Sequence, residues 1–193
     1  MLIKNDFEVA QPVDKVWRFF DDIPRVAACL PGAELTDDLG NEQYKGRVSV
    51  RMGPVSLRFA GTADITERDD TAKRIVVTAA GAEEKGKGQA SMVVTATLVQ
   101  AGASTKVGVV QDLQVSGAAA QYGRGMISDV TSVLMRNFAA NLQSSITRAE
   151  RGENPVAQHA APAKGFTIGL QATLMALKRV FRRFFAPYPS TPR

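Results

Sequence analysis

Residues 107–150 read VGVVQDLQVSGAAAQYGRGMISDVTSVLMRNFAANLQSSITRAE, and the period of the apolar positions changes inside this stretch. Val107, Val109, Leu113 and Val115 recur at every second residue, with Gln111 on the same phase. Such alternation marks a strand with one buried face. After Gly117 the spacing becomes three and four. Ile127, Val130, Leu134, Phe138, Leu142 and Ile146 share one stripe of a helix expected over roughly Gln121 to Glu150. A sheet therefore hands over to one long helix, and the rest of the chain says how large that sheet is.

Working back toward the N-terminus, the period stays near two from about Ser116 to Ala33. Met92, Val94, Ala96 and Leu98 alternate, as do Val55, Leu57, Phe59 and Ala63, and Val48, Val50 and Met52. Turn signals separate these runs at Leu39-Gly40-Asn41, Met52-Gly53-Pro54, Arg68-Asp69-Asp70, Gly81 to Gly88 and Ala101-Gly102. The pattern predicts an antiparallel meander of about six strands. Ahead of it, Ile3, Asn5, Phe7 and Val9 read as a further half-buried strand. Pro12 opens a short helix with Val13, Val16, Trp17 and Phe20 on one face, and Ile23 to Leu30 forms a second, ended by Pro31-Gly32. The fold class is α+β, a curved antiparallel sheet of about seven strands wrapped on a long helix. One helix rarely fills the concave face of such a sheet, so a cavity is expected between them.

Past the helix, residues 151–164 are an Ala/Pro-rich polar linker. Residues 165–186 then form an amphipathic segment, with residues 187–193 expected as a disordered C-terminus. Phe166, Leu170, Leu174, Leu177, Phe181 and Phe184 make its apolar stripe, and Lys178, Arg179, Arg182 and Arg183 its cationic side. The uncharged part, Gly165 to Leu177, is too short to span a bilayer core. A helix lying on an anionic membrane surface is the expectation, and docking on a partner protein the alternative. The membrane reading is preferred, because the cations crowd one face and the linker holds the helix off the body.

Charge supports this division into a 1–150 domain and its appendage. Residues 151–193 hold seven Lys or Arg against one acid, Glu153, within a chain of net charge +5, so the first 150 residues are close to −1. A nucleic-acid-binding body would carry its bases on the fold, so nucleic acid is excluded as a partner. One cysteine, Cys29, permits no intramolecular disulfide and fits a reducing cytoplasm. Charges at positions 4, 6 and 8 leave no room for a secretory leader there, and no apolar run reaches transmembrane length.

Little in the chain suggests catalysis. Gly81-Ala-Glu-Glu-Lys-Gly86-Lys87-Gly88 approaches a phosphate-binding loop but leads into a strand. Gly123-Arg-Gly125-Met-Ile-Ser128 echoes a dinucleotide fingerprint but lacks its third glycine. The single histidine, His159, lies in the linker. Neither a metal centre nor a catalytic triad is expected. The acid pairs Asp21-Asp22, Asp37-Asp38, Asp69-Asp70 and Glu83-Glu84 read as solvated turn residues. Cys29 reads as a packed small hydrophobe.

Four segments carry a family resemblance: Pro12-Val-Asp-Lys-Val-Trp17, Cys29-Leu30-Pro31-Gly32-Ala33, Met52-Gly53-Pro54-Val55 with Gly61, and Gln121-Tyr122-Gly123-Arg124-Gly125-Met126-Ile127. Within the START-type helix-grip (SRPBCC) superfamily, they resemble the CoxG family of carbon monoxide dehydrogenase accessory proteins over roughly residues 1–148. The resemblance implies a non-catalytic accessory protein for a molybdenum-type carbon monoxide dehydrogenase or related oxidoreductase. It implies a cytoplasmic protein, peripheral on the inner face of the cell membrane. It also implies an apolar cavity for a lipid or isoprenoid, which suggests a respiratory quinone, menaquinone or ubiquinone, as carried ligand with no covalent cofactor. A pure tether without ligand transport and a polyketide-cyclase-like enzyme are the rival readings.

The candidate ligand positions on the sheet are Val50, Leu57, Phe59, Met92, Val94, Val109, Gln111 and Leu113. Those on the helix are Val130, Leu134 and Phe138, with Tyr122 as a mouth candidate or an ordinary packed tyrosine. Gln111 is the polar exception. It needs a partner, which is backbone, buried water or the polar head of a ligand.

Overall fold

The computed structural model describes residues 1–152. The expected linker beyond Gly152, the segment expected to be amphipathic with its ten expected membrane-binding residues, and the C-terminus lie outside the described residues.

Seven antiparallel strands form one sheet: β1 (Leu2–Val9), β2 (Ala33–Gly40), β3 (Gln43–Met52), β4 (Val55–Asp69), β5 (Arg74–Glu83), β6 (Gln89–Ala101) and β7 (Ser104–Val115). Helices α1 (Val13–Phe19) and α2 (Ile23–Cys29) follow β1, and α3 (Gly123–Glu150) ends the fold. The spatial order β1-β7-β6-β5-β4-β3-β2 makes β2 to β7 a simple meander. β1 closes on β7 at the far edge.

The turn signals read from the sequence fall at the strand ends and the turns between them, with four local corrections. β5 continues through Gly81 to Glu83, so the turn, residues 84–88, is shorter than the Gly81–Gly88 run suggests. A short 3-10 segment, Gly117–Tyr122, precedes α3, which therefore begins at Gly123. Asp37 and Asp38 lie within β2, at register shifts, rather than in a turn. Val55, in phase with Leu57, is exposed because it is the first residue after the Gly53-Pro54 turn.

Three glycines set the curvature of the sheet. Gly46 pairs with Gly61, and Gly61 with Gly81, so they form one row across β3, β4 and β5. A Cβ on Gly61 would lie 2.0 Å from the Ala80 carbonyl oxygen, and one on Gly81 2.9 Å from that of Ala60. Only glycine permits so close an approach of neighbouring strands, and the row acts as a crease. Gly32, in the turn after α2, has φ +79°, and its carbonyl accepts from Ser49 N at 2.8 Å. That bond ties the α2–β2 turn to the curled strand β3.

Helix α3 is fastened along one side. Ser132 Oγ donates to Asn5 Oδ1 at 3.0 Å, Ala10 N to Gln143 Oε1 at 2.7 Å, and Asn141 Nδ2 to the Cys29 carbonyl at 2.9 Å. It thus rests on β1 and α2 rather than on the middle of the sheet. α1 is pinned at the β4–β5 turn, where Trp17 Nε1 donates to Asp70 Oδ1 at 2.7 Å.

Candidate ligand cavity

The apolar interior divides into two packed groups. One gathers Val9, Val16, Trp17, Phe19, Leu98, Val107, Leu142 and Ile146 under α1 and the C-terminal half of α3. The other gathers Ile3, Met52, Leu57, Phe59, Ile127 and Val130 around the start of α3. Between them lies a cavity of about 480 Å³, a volume typical of small-molecule sites.

The strand register explains the hollow. Its floor is built from rows of inward residues. Ala63 pairs with Ala79, Ala79 with Met92 and Met92 with Leu113, while Ile65, Val77, Val94 and Gln111 form the next row. The two alanines and the adjoining glycine crease leave the floor low beneath a helix that rests on β1 and α2 rather than on the middle of the sheet. α2 supplies the roof with Ile23, Val26 and Ala27, and Leu30 follows at its end. The helix wall is Ile127, Val130, Thr131, Leu134, Met135 and Phe138. Many of these apolar side chains, among them Val50, Met92, Val94, Leu134 and Met135, are only half-buried although they point inward. Their remaining surface faces the hollow.

Eleven of the twelve expected cavity positions line this space: Val50, Leu57, Phe59, Met92, Val94, Val109, Gln111, Leu113, Val130, Leu134 and Phe138. Tyr122 does not. It closes the 3-10 segment and packs, half-buried, against the group around Ile3 and Leu57, so it is a packing residue rather than a mouth. Sequence reading misses the roof. Ile23, Val26, Ala27 and Leu30 keep the spacing of one helical face, which is a usable signal.

Polar groups are sparse. Glu34, Lys45 and Arg47 border the cavity at exposed edge positions. Among the fully buried lining residues Gln111, 6% exposed, is the single polar one. Its carboxamide has no hydrogen-bond partner among the described residues. Asn5, on β1, gives its Oδ1 to Ser132, while its Nδ2 is sealed and unpartnered. Cys29 lies outside the lining, 4% exposed, and burial pushes its thiol up to about 11, against the smaller opposing effects of Arg25 and a Ser145 hydrogen bond. Among the described residues no group of three or more His, Cys, Asp or Glu is placed to hold a metal ion, and no helix is long and apolar enough to cross a membrane. The arrangement suits enclosure of an apolar molecule better than acid–base chemistry.

Comparison with known proteins agrees with this geometry. Residues 6–147 match the family model for CoxG, an accessory subunit of carbon monoxide dehydrogenase. No curated protein sequence matches the chain. A conserved protein from Geobacillus kaustophilus superposes with a TM-score of 0.67 at 19% identity, covering 77% of this chain and 97% of its own. The Zhui aromatase/cyclase from a Streptomyces species gives 0.55 at 16% identity, covering 81% and 99%. The protein TTHA0849 from Thermus thermophilus gives 0.55 at 12% identity, covering 75% and 99%. At these identities the structural likeness establishes the helix-grip fold, which the seven-stranded curved sheet and its long helix display.

Proposed function

The chain belongs to the CoxG family of carbon monoxide dehydrogenase accessory proteins, and from that membership we propose that it is a non-catalytic carrier for a prenylated respiratory quinone. It takes the quinone, menaquinone or ubiquinone, from the cytoplasmic leaflet and presents it to a molybdenum-type carbon monoxide dehydrogenase or related oxidoreductase. The observation that carries this reading is the hollow itself, about 480 Å³ and lined mainly by Val, Leu, Ile, Met, Phe and Ala. A prenyl chain must be kept from water while it leaves the membrane, and burial stabilises each methylene by about 0.8 kcal/mol. A pure tether has no use for such a space. A cyclase, whose fold the aromatase/cyclase shares, would need acid–base groups among the buried lining, where this chain has Gln111 alone.

The basic amphipathic segment, residues 165–186, supports the membrane half of the reading through its sequence. Its apolar stripe would supply insertion and its four clustered cations attraction to an anionic surface, about 1 kcal/mol each and screened by salt. The protein is then peripheral on the inner membrane face.

The test is extraction. Protein is mixed with anionic vesicles containing menaquinone, the vesicles are floated away at raised salt, and the protein left behind is assayed for quinone. The carrier reading expects about one quinone per chain. Deleting residues 164–193 should abolish flotation with the vesicles at low salt while leaving binding of detergent-solubilised quinone intact. A quinone-free protein fraction under all conditions contradicts the carrier, and full flotation of the truncated chain contradicts the tail's role.

A further inference from the structure

Gln111 is where the hollow makes a polar demand. It continues the row of Ile65, Val77 and Val94, and every other member of that row is a branched apolar residue. Valine or leucine would complete the pattern and leave nothing unpaired. Instead the chain buries a carboxamide at 6% exposure with no hydrogen-bond partner among the described residues. Its amide atoms, unlike Asn5 Nδ2, are not sealed by the protein and stay open to a partner in the hollow. A second unpaired amide lies close by. Asn5, whose Nδ2 is orphaned, stands opposite Val109, one diagonal step from Gln111 across the β1–β7 pair. Apart from Arg25 Nε on α2, which lies 3.7 Å from the Asp22 carboxylate, the unpartnered side-chain amides of the interior lie together on the β1–β7 strand pair of a largely apolar space.

We propose that the Gln111 carboxamide is the hydrogen-bonding anchor for the ring oxygen of the carried ligand, so that the cavity selects a carbonyl-bearing head over a plain hydrocarbon. This rests on the carrier reading above. With the head at Gln111, the apolar rows toward β3 and the α2 roof are left for the tail. A carboxamide is suited to a redox carrier because it holds both a donor and an acceptor. Nε2 donates to the carbonyl oxygen of a quinone. Oε1 accepts from the hydroxyl of the corresponding quinol. Both oxidation states are held without any change of charge in a low-dielectric site, where a lysine or glutamate would have to be ionised or neutralised.

The experiment compares wild type with Gln111→Leu, using short-chain menaquinone, its quinol, and squalene as a prenyl hydrocarbon with no ring oxygen. Loss of one hydrogen bond should weaken menaquinone and menaquinol about tenfold and leave squalene unchanged or tighter. Thermal unfolding of the ligand-free variant should occur at the same or a higher temperature, because an unpaired buried amide has been removed. If wild type binds menaquinone and Gln111→Leu binds it equally well, the anchor is refuted and the carrier stands. Should the variant melt lower and lose all three probes alike, Gln111 is a structural residue and the inference fails. If wild type binds no menaquinone, the carrier reading falls and this inference with it.

Discussion

Leu142 and Leu134 occupy the same stripe of α3, about two turns apart, in opposite surroundings. Leu142 is 0% exposed, packed among Val9, Trp17, Phe19 and Val107. Leu134 is half-buried and fronts the hollow. The residue type is identical, and both fall within one broad apolar stripe of the helix. The difference lies in what stands across from each: two short helices and bulky strand residues in one case, alanines and a creased sheet in the other. One part of the interior has been filled to hold the fold, and the other has been left open to hold something else.

The sharpest way to break this comparison is to truncate both leucines. Leu142→Ala removes a fully packed side chain and leaves a new cavity, with an expected cost of about 4 kcal/mol in chemical denaturation. Leu134→Ala only widens an existing space and should cost about 1 kcal/mol, because there are few packed neighbours to lose. Equal costs would mean that the middle of the protein is as solid as its end.

The next effect concerns the crease. Gly61→Ala would place a Cβ 2.0 Å from a carbonyl oxygen of the neighbouring strand and should cost about 3 kcal/mol or more. Gly108 lies in β7, where a Cβ would meet only the Thr97 carbonyl at 4.0 Å. Gly108→Ala should be neutral or stabilising by about 0.5 kcal/mol. Thermal melts of the two variants decide whether close strand approach at Gly61, rather than glycine as such, shapes the hollow.

A smaller effect reports on dryness at the filled end. Burial raises Cys29 from 9.0 to about 11 in the folded state. The folded protein therefore keeps its proton while the unfolded chain releases it. The resulting stability is fully present below about pH 9 and is lost as pH rises toward 11, at most about 2–3 kcal/mol in total. The stability gap between wild type and Cys29→Ala should shrink over that window in denaturation measurements, whereas a wetted thiol would give a gap that does not move. In Cys29→Ala, a cysteine introduced by Leu134→Cys should be alkylated faster at pH 8 than Cys29 is in wild type, since it meets the hollow.

Much of this architecture is legible in the chain. Alternation marks the strands, and Gly40, Gly53 and Gly102 mark their turns. The change of period after Gly117 locates the long helix. Gln111 stands out because one polar residue interrupts an apolar phase. What stays hidden depends on register. Gly46, Gly61 and Gly81 are far apart in sequence and become one row only after two hairpins have paired. Ala63 and Ala79 lower the floor only because they face each other. The α2 stripe is readable, but nothing local says that it covers a void rather than a core. Tyr122 escapes the sequence for a similar reason. Proximity to a helix start does not reveal which of two apolar groups a side chain joins.

The central claim is that the hollow between the packed groups holds a prenylated quinone, and the most direct measurement is native mass spectrometry of the protein with short-chain menaquinone. Wild type should show one ligand per chain. Leu134→Trp, which fills the hollow while leaving the packed end untouched, should lose that ligand and keep a cooperative melt. Absence of bound quinone from wild type, or its undiminished retention by a folded Leu134→Trp protein, would contradict the account.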